Sequence, residues 1–468
     1  MLNDKESPFT LTLIEGGLSL PVLRFRGHEA LNRPYRFEID VIGLAPALAP
    51  ATLLHRSAYL QLSDDHGIHG TLHSASCEHR GAHRIDYRLV LVPHLQQLEQ
   101  QTRRRVFTRS SVPDILEQLL VEHRWPAHGY RFDLTTGHYP PRPFCIQYDE
   151  SDLALLQRLC EEEGIHYHFE HRPDGHVVVF ADDSLGLPQP PLHVPFSTEI
   201  EPPSPALSAL YQRHDAVMAR VSPNVRDRGQ PSNEDEAANH PLANIWPERG
   251  FLPSGQRYAD QRSRRQLERQ RCQYRCIQGR SDCTQLLSGR LLQVTDHPVG
   301  AFNDQWLITE LHHQGQQPSI LDPVPAPRRY HNDFTALPWS TEFRPPLTQP
   351  RPSIPGYHPA QVLGPPGQPP QLDDQGRIAV RLWPGRGLDT DSDRLWLTIA
   401  MVGGDRPIAR ETLPRAGSEV WVSFLDSDPD RPILCLDISH TRKTRQAPEQ
   451  HDDGLLLDWL LKHTPPSA

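Results

Sequence analysis

The segment 145–171, CIQYDESDLALLQRLCEEEGIHYHFEH, constrains the fold most, because its hydrophobic period changes from helical to strand-like within a few residues. From Leu153 onwards apolar side chains recur at helical spacing, and Ser151 or Asp149 can cap the start of the helix. Gly164 follows, a residue type that adopts the positive φ angle at which many helices end. The next residues, IHYHFEH, alternate between apolar and polar side chains, as an amphipathic strand does. The segment therefore predicts a helix and a strand, and the following PDGHVVVFADD predicts a returning strand.

The acidic and imidazole side chains of this segment allow two interpretations, a hydrolytic or metal site and a structural helix–strand unit. We interpret Glu161, Glu162 and Glu163 as the exposed end of the helix. His166 and His168 lie on the polar side of the predicted strand, where we expect solvent. No spaced carboxylate or cysteine in the same motif completes a set of metal ligands. We therefore predict no catalytic residue, no metal and no cofactor.

The preceding part of the chain predicts mainly β structure. Short runs with alternating polarity follow one another between residues 9 and 98, which is typical of an antiparallel barrel or meander. The pattern then changes, because Ser111 and Pro113 precede apolar residues at helical spacing. Helices are therefore expected as insertions in a β-rich region.

Composition excludes several classes of partner. The net charge is −10 with neutral histidines, which argues against a nucleic-acid partner, and the basic cluster at 261–271 is local and predicted to be helical. No apolar run approaches the ~20 residues of a membrane span, so we predict no stable membrane insertion. The seven cysteines are scattered, and Cys272, Cys276 and Cys283 lack zinc-finger spacing. We expect reduced thiols in a protein that folds in the cytoplasm.

The helix–strand segment resembles the VgrG family of type VI secretion spike proteins. The family pattern is Q-Y-x-E-S-D followed by R-L-x-x-E-E-G-I-x-Y-x-F-x-H. The matching positions here are Gln147, Tyr148, Glu150, Ser151, Asp152, Arg158, Leu159, Glu162, Glu163, Gly164, Ile165, Tyr167, Phe169 and His171.

The C-terminal part resembles the oligonucleotide/oligosaccharide-binding (OB) barrel of the same family. The segments GRIAVRLW and EVWVSFL alternate in polarity as barrel strands do, and DSDPDRP is a turn sequence. Residues that we expect to serve this barrel and its contacts are Trp396, Arg415, Glu419 and Asp430. Glu150, Asp152, Arg158 and Glu163 are the corresponding candidates for fixing the helix and hairpin within the hub.

The resemblance implies a mainly β protein with an α+β hub, in which two hub β-barrels with helical insertions precede an OB-fold barrel. The expected domains are a phage tail hub-like region at 1–345, a proline-rich linker at 346–358, the OB-fold domain at 359–440 and a short tail at 441–468. The family also carries a long triple-stranded β-prism after the barrel, in place of which this chain has only the tail. We expect the needle to be supplied by another chain or lost by truncation.

The resemblance further implies a homotrimeric, non-enzymatic spike component at the tip of a secretion tube. Three subunits with two barrels each would present six barrels to a hexameric, Hcp-like tube protein. Baseplate subunits, a PAAR-type tip protein and effectors are the other partners implied. The start of the sequence does not read as a signal peptide, so we expect a cytoplasmic protein that is secreted by the type VI route.

The alternative is an OB-containing protein that binds or hydrolyses cell-wall glycan. The sequence has neither a G-x-S-x-G elbow nor an H-E-x-x-H motif, but two distant carboxylates can converge in space to form a glycosidase site. His297, His312 and His313 lie near predicted strand ends, and we interpret them as surface or packing imidazoles.

Overall fold

The computed structural model describes most of the chain up to residue 435. The described residues are 9–44, 48–64, 66–80, 84–187, 190–199, 202, 204–213, 255–274, 276–318, 328–384, 394–400 and 413–435. The predicted tail at 441–468 lies outside these residues. The chain divides into two compact units: residues 1–104 with 109–352, and residues 353–468 with 105–108.

The described helices are few. They are α1 Pro50–Leu53, α2 Val112–Glu122, α3 Asp152–Glu163 and α4 Gln256–Tyr274. In this described part of the chain, none of the helices combines the length and the apolar character that crossing a membrane requires.

Helices α2 and α3 begin, and α3 also ends, as their sequences predict. Ser111 caps α2 in a reciprocal capping box with Asp114. Ser151 caps α3, because its hydroxyl accepts a hydrogen bond from the backbone N–H of Ala154 at 3.1 Å. Gly164 ends α3 at a φ angle of 71°, which a residue with a side chain would adopt only under strain.

Strands make up most of the remaining regular structure. They are β1 Thr10–Leu13, β2 Ser19–Ala30, β3 Arg33–Leu44, β4 Ser57–Gln61, β5 Gly67–Arg80, β6 Arg84–Val92, β7 Thr102–Ser110, β8 Tyr130–Asp133, β9 Arg142–Ser151, β10 His166–Arg172, β11 Gly175–Ala181, β12 Leu192–Pro195, β13 Leu207–Arg213, β14 Cys276–Ser281, β15 Leu291–Thr295, β16 Gln305–Gln316, β17 Arg329–Pro338, β18 Tyr357–Val362, β19 Ile378–Leu382, β20 Arg394–Leu397, β21 Ile399–Ala400, β22 Glu419–Phe424 and β23 Pro432–Cys435.

The first six strands form a closed barrel, which we name the first ring. Its strand order is β1–β4–β5–β6–β3–β2, and pairing of β1 with β2 closes it. Inward-facing side chains such as Leu11, Phe37, Ile39 and Leu60 are fully buried. Gly27 allows tight packing, because a Cβ atom there would lie 2.1 Å from the ring of Phe37. The alternating runs of the N-terminal sequence therefore produce the predicted antiparallel barrel.

The second ring is a half-barrel built on β16. Strands β17, β14 and β13 follow β16 on one side, while β15 and β12 continue from its end. An isolated parallel β-bridge between Phe196, the residue after β12, and Leu207 connects β12 with β13. Trp306, Ile308, Leu311 and other apolar side chains fill its interior.

The two rings share one sheet through the pairing of β2 with β16, which we name the inter-ring ladder. Seven residue pairs run from Glu310 opposite Ala30 to Gln316 opposite Arg24. The α/β part of the first unit consists of α2, α3 and the sheet β10–β11–β8, with β7 and β9 paired separately. These elements contain the predicted helix and returning hairpin.

The second unit is a small barrel. Its strand order is β20–β19–β18–β22–β23–β21. Strands β20 and β21 are separated only by Thr398, so one continuous stretch of chain pairs with β19 at one end and β23 at the other. The predicted fold class is confirmed: the protein is mainly β, with two hub barrels, one of them a half-barrel, and a third barrel after them. The predicted domain boundaries remain predictions.

Candidate functional site: a buried charge cluster around helix α3

The C-terminal end of α3 carries three consecutive glutamates in an unfavourable position. The C-terminal end of a helix has partial negative charge, so acidic side chains are disfavoured there. The prediction that these glutamates are exposed is wrong, because Glu161 and Glu163 are only 5% and 3% exposed and Glu162 is largely covered. Arginines pair with Glu162 and Glu163, whereas the carboxylate of Glu161 accepts hydrogen bonds from the backbone N–H groups of Thr348 at 2.7 Å and Gln349 at 2.8 Å. We name this set of residues the charge cluster.

Arg158 is the arginine of the charge cluster that α3 itself supplies. Its Nη2 lies 2.6 Å and its Nε 3.1 Å from the two carboxylate oxygens of Glu150, a bidentate geometry. Its Nη1 also contacts Glu162 at 3.3 Å. Burial raises the pKa of Glu150 although the charge of Arg158 opposes this effect. The predicted residues Glu150 and Arg158 are thus brought together within one chain.

Arg142 on β9 connects the remaining glutamates. It donates to Glu162 at 2.9 Å and to Glu163 at 2.7 Å, and Glu163 also accepts a 2.6 Å hydrogen bond from the hydroxyl of Tyr258. Burial alone would raise the pKa of Glu162, but the charges of Arg142, Arg158 and Arg351 outweigh burial and lower it to about 2. The carboxylate of Glu162 is therefore held ionised by its arginine partners.

Helix α4 brings the basic cluster of the sequence onto the same helix end. Arg265 donates to the backbone carbonyl of Glu163, and Arg269 donates to the carbonyl of Glu161 at 2.6 Å. The last four carbonyls of a helix have no i+4 N–H partner within the helix, so these contacts add hydrogen bonds at the helix end, where the carbonyl of Glu161 also accepts a 3.3 Å bond from the backbone N–H of Gly164. The basic cluster is helical as predicted, but its arginines are not merely local surface charges.

Asp182, at the end of the hairpin, anchors the loop before β9. Its carboxylate accepts hydrogen bonds from the backbone N–H groups of Thr135 and Thr136 at 2.9 and 3.2 Å, and from the hydroxyl of Tyr139 at 2.9 Å. The carbonyl of Asp182 accepts a 2.8 Å bond from Arg344. Burial would raise the pKa of Asp182, but the hydrogen bonds that its carboxylate accepts lower this pKa.

Asp152, the fourth hub residue predicted from the sequence, is buried at the start of α3. It contacts Nε2 of His123 at 2.8 Å, accepts a 2.8 Å hydrogen bond from the amide of Gln147 and lies 3.5 Å from Arg103. An acidic residue in the first turn of a helix interacts favourably with its dipole. Asp152 therefore links α2, β7 and β9 to the start of α3.

The histidines of β10 are also buried, which contradicts the prediction of a solvated strand face. His166 and His168 are 0% and 1% exposed, because protein covers both sides of β10. Burial is the largest cause that lowers the pKa of His166 to about 3 and that of His168 to about 4. His69 and His176 form a second pair of histidines, in which the two Nδ1 atoms are 2.9 Å apart. Burial lowers the pKa of His69 to about 4.

The other sequence-predicted residues lie in the second unit on separate elements. Trp396 is on β20, Glu419 is the exposed first residue of β22, and Asp430 precedes β23. Arg415 is exposed, and its Nη1 donates to the carbonyl of Gly367 at 3.2 Å. Their role in assembly stays a prediction.

Sequence reasoning missed the charge-cluster members that come from outside the 145–171 segment. They are Arg142, Asp182, Tyr139, Tyr258, Arg265, Arg269, Arg344 and Arg351. The sequence contained one signal for this pairing. Three consecutive glutamates at 161–163 need positive partners, and the arginine-rich stretch at 261–271 could supply them. The cluster ties together elements far apart in sequence, and its carboxylates have fixed partners, so the geometry suits a rigid structural support.

Comparison with known proteins assigns this architecture to a family. The chain belongs to the phage tail baseplate hub (GPD) family, whose model matches residues 28–319. The predicted resemblance to VgrG proteins is confirmed. Type VI secretion system spike protein VgrG4b of Pseudomonas aeruginosa is 36% identical over 453 residues, which cover 92% of this chain and 56% of the relative. VgrG5 of the same organism is 38% identical over 450 residues, with coverage of 92% and 57%. The chain thus spans a little over half the length of these relatives.

Solved structures show the same fold. The Escherichia coli c3393 protein, described as a component of the type VI secretion system with structural similarity to the bacteriophage T4 tail proteins gp27 and gp5, aligns with a TM-score of 0.68 at 23% identity. The alignment covers 91% of this chain and 98% of that protein. The lidless PdpA–VgrG complex gives a TM-score of 0.57 at 8% identity, covering 92% and 88%.

Proposed function

We propose that this protein is a structural hub and spike subunit of a type VI, contractile injection system, and that it works by shape complementarity without catalysis. The observation that carries this proposal is the pair of rings in one chain, joined edge to edge by the inter-ring ladder. A subunit with two similar rings can present two neighbouring contact surfaces to a partner. The membership of the baseplate hub family and the VgrG relatives support the same role.

In this proposal the protein assembles as a homotrimer at the tip of a tube. Three subunits would place six rings around a threefold axis, which gives a near-sixfold surface for a hexameric, Hcp-like tube protein. The region 1–345 would form this hub and 359–440 the OB-fold domain that follows it. Baseplate subunits, a PAAR-type tip protein and effectors are the further partners proposed. The protein would be cytoplasmic before firing and secreted by the type VI route.

The mass of the purified particle tests this proposal. Multi-angle light scattering of the full chain is expected to give three subunits, and addition of a hexameric tube protein is expected to give a larger complex with one trimer per hexamer. A particle that stays monomeric and binds no hexamer at any concentration would contradict it. Clearing of peptidoglycan by such a monomer would support the glycan-hydrolase alternative instead.

Arg415→Ala is expected to weaken association of the subunits more than folding. Arg415 is exposed and makes one 3.2 Å hydrogen bond to Gly367, so its loss should change the free energy of unfolding by no more than about 0.5 kcal/mol. Sedimentation velocity would measure the oligomer and thermal unfolding the stability. Arg36→Ala, at an exposed arginine of β3, is the control. Unchanged association in Arg415→Ala would remove Arg415 from the proposed contact surface.

A further inference from the structure

The inter-ring ladder carries two histidines and a glutamate whose ligand atoms converge. His28 on β2 lies directly opposite His312 on β16, and Glu310 is two residues before His312 on the same strand. The ligand atoms of the three side chains all lie within 4.8 Å of one another. Nε2 of His28 is 2.8 Å and Nε2 of His312 is 3.5 Å from the same oxygen of Glu310.

The backbone presents these three side chains on one face of the sheet. Consecutive residues of a strand point to opposite sides, so Glu310 and His312 share a face, while the intervening Leu311 is fully buried. Register shifts occur at this point in both strands, between His28 and Ala30 on β2 and between Ile308 and Glu310 on β16. Such bulges re-aim side chains locally.

We propose that His28, Glu310 and His312 form a binding site for a divalent transition-metal cation such as Zn²⁺. Imidazole nitrogen and carboxylate oxygen are ordinary ligands of Zn²⁺ at about 2.0–2.2 Å, which places neighbouring ligand atoms of a tetrahedron about 3.3–3.5 Å apart. The Glu310–His312 separation of 3.5 Å already fits, and the Glu310–His28 separation of 2.8 Å needs to open by about half an ångström.

The hydrogen bond between His28 and Glu310 is what the cation replaces. A proton on Nε2 of His28 has to leave that atom, to Nδ1 of the same ring from neutral imidazole or to solvent from imidazolium, and Nε2 and the carboxylate oxygen then both bind the metal. The site is half-exposed, so a fourth position is open to water.

Charged residues of the adjoining strands lie next to the three side chains. On β17, Asp333 lies opposite His312 and is paired with Arg280 at 2.8 Å. On β3, Arg36 lies opposite His28. The bound cation would join a strand of the first ring to a strand of the second ring, so it would stabilise the inter-ring ladder.

Calorimetric titration of the metal-stripped full chain with ZnCl₂ tests the proposal. We expect a Zn²⁺ site whose affinity falls by at least about tenfold in His28→Ala and in His312→Ala, because even substitutions outside the ligand shell reduce metal affinity by that factor. His73→Ala is the matched control, since His73 is exposed on β5, which pairs with neither β2 nor β16.

Two further measurements separate this site from other histidines of the chain. Glu310→Gln keeps the side-chain volume, so it should retain the native circular dichroism spectrum while losing affinity. Electron paramagnetic resonance of bound Cu²⁺ should show coupling to two imidazole nitrogens, reduced to one in His312→Ala. Equal Zn²⁺ affinity in wild type, His28→Ala, His312→Ala and His73→Ala, or the absence of Zn²⁺ binding, would overturn the proposal.

Discussion

Acidification from about pH 6.5 to about pH 5 is expected to destabilise the first unit by about 2 kcal/mol for each buried, neutral histidine. His69, His166 and His168 are among the residues concerned, because burial lowers their pKa values to about 4, 3 and 4. An unfolded histidine takes up a proton below its ordinary pKa of about 6.5, whereas these folded histidines do not. Stability is therefore complete above about pH 6.5 and is lost as the pH falls towards about 4.

Urea unfolding at a series of pH values measures this effect. His168→Leu is expected to reduce the slope of unfolding free energy against pH by about 1.4 kcal/mol per pH unit, the contribution of one proton. Neither ring nitrogen of His168 has a hydrogen-bond partner in the described part of the chain, so leucine removes no such bond. His73→Leu on the exposed face of β5 should leave the slope unchanged. Identical slopes in wild type and His168→Leu would show that His168 does not stay neutral in the folded state.

Arg158→Ala is expected to lower the free energy of unfolding by about 3–5 kcal/mol, because it leaves buried acidic groups without their partner. Arg158 is 5% exposed and holds Glu150 through two hydrogen bonds while contacting Glu162. Removal of one member of a buried ion pair costs far more than the pair itself contributes, since the remaining charge cannot be solvated. Chemical denaturation followed by circular dichroism would measure the change.

The matched control is Arg280→Ala, which breaks the exposed pair with Asp333 and should cost no more than about 1 kcal/mol. The double variant Arg158→Met with Glu150→Leu should recover part of the loss, because it removes both charges together. If Arg158→Ala were no more destabilising than Arg280→Ala, the charge cluster would not support the fold as described.

Local sequence signals predicted local structure well. Ser151 and Gly164 cap α3 at the positions that the sequence indicated, because caps depend on hydrogen bonds within a few residues. The alternation in IHYHFEH likewise predicted β10. The OB-like strands GRIAVRLW and EVWVSFL correspond to β19 and β22.

The sequence did not show in the same way which polar residues are buried. Alternation shows which side chains share a face, but not whether another part of the chain covers that face. The carbonyl of Gly164 is contacted by Arg344, 180 residues later, and that of Glu163 by Arg265. The second ring was hidden for a related reason, since it combines β12 and β13 with strands that begin only at Cys276.

The inter-ring ladder has a consequence for how this protein can change during evolution. Backbone hydrogen bonds in register, rather than a linker, set the spacing between the two rings, so that spacing is a property of strand pairing. Insertion or deletion of one residue in β2 or β16 would turn core side chains such as Phe25 and Leu311 towards the opposite face of the sheet. The loops of this chain can therefore vary freely, while the lengths of these two strands must change together or not at all.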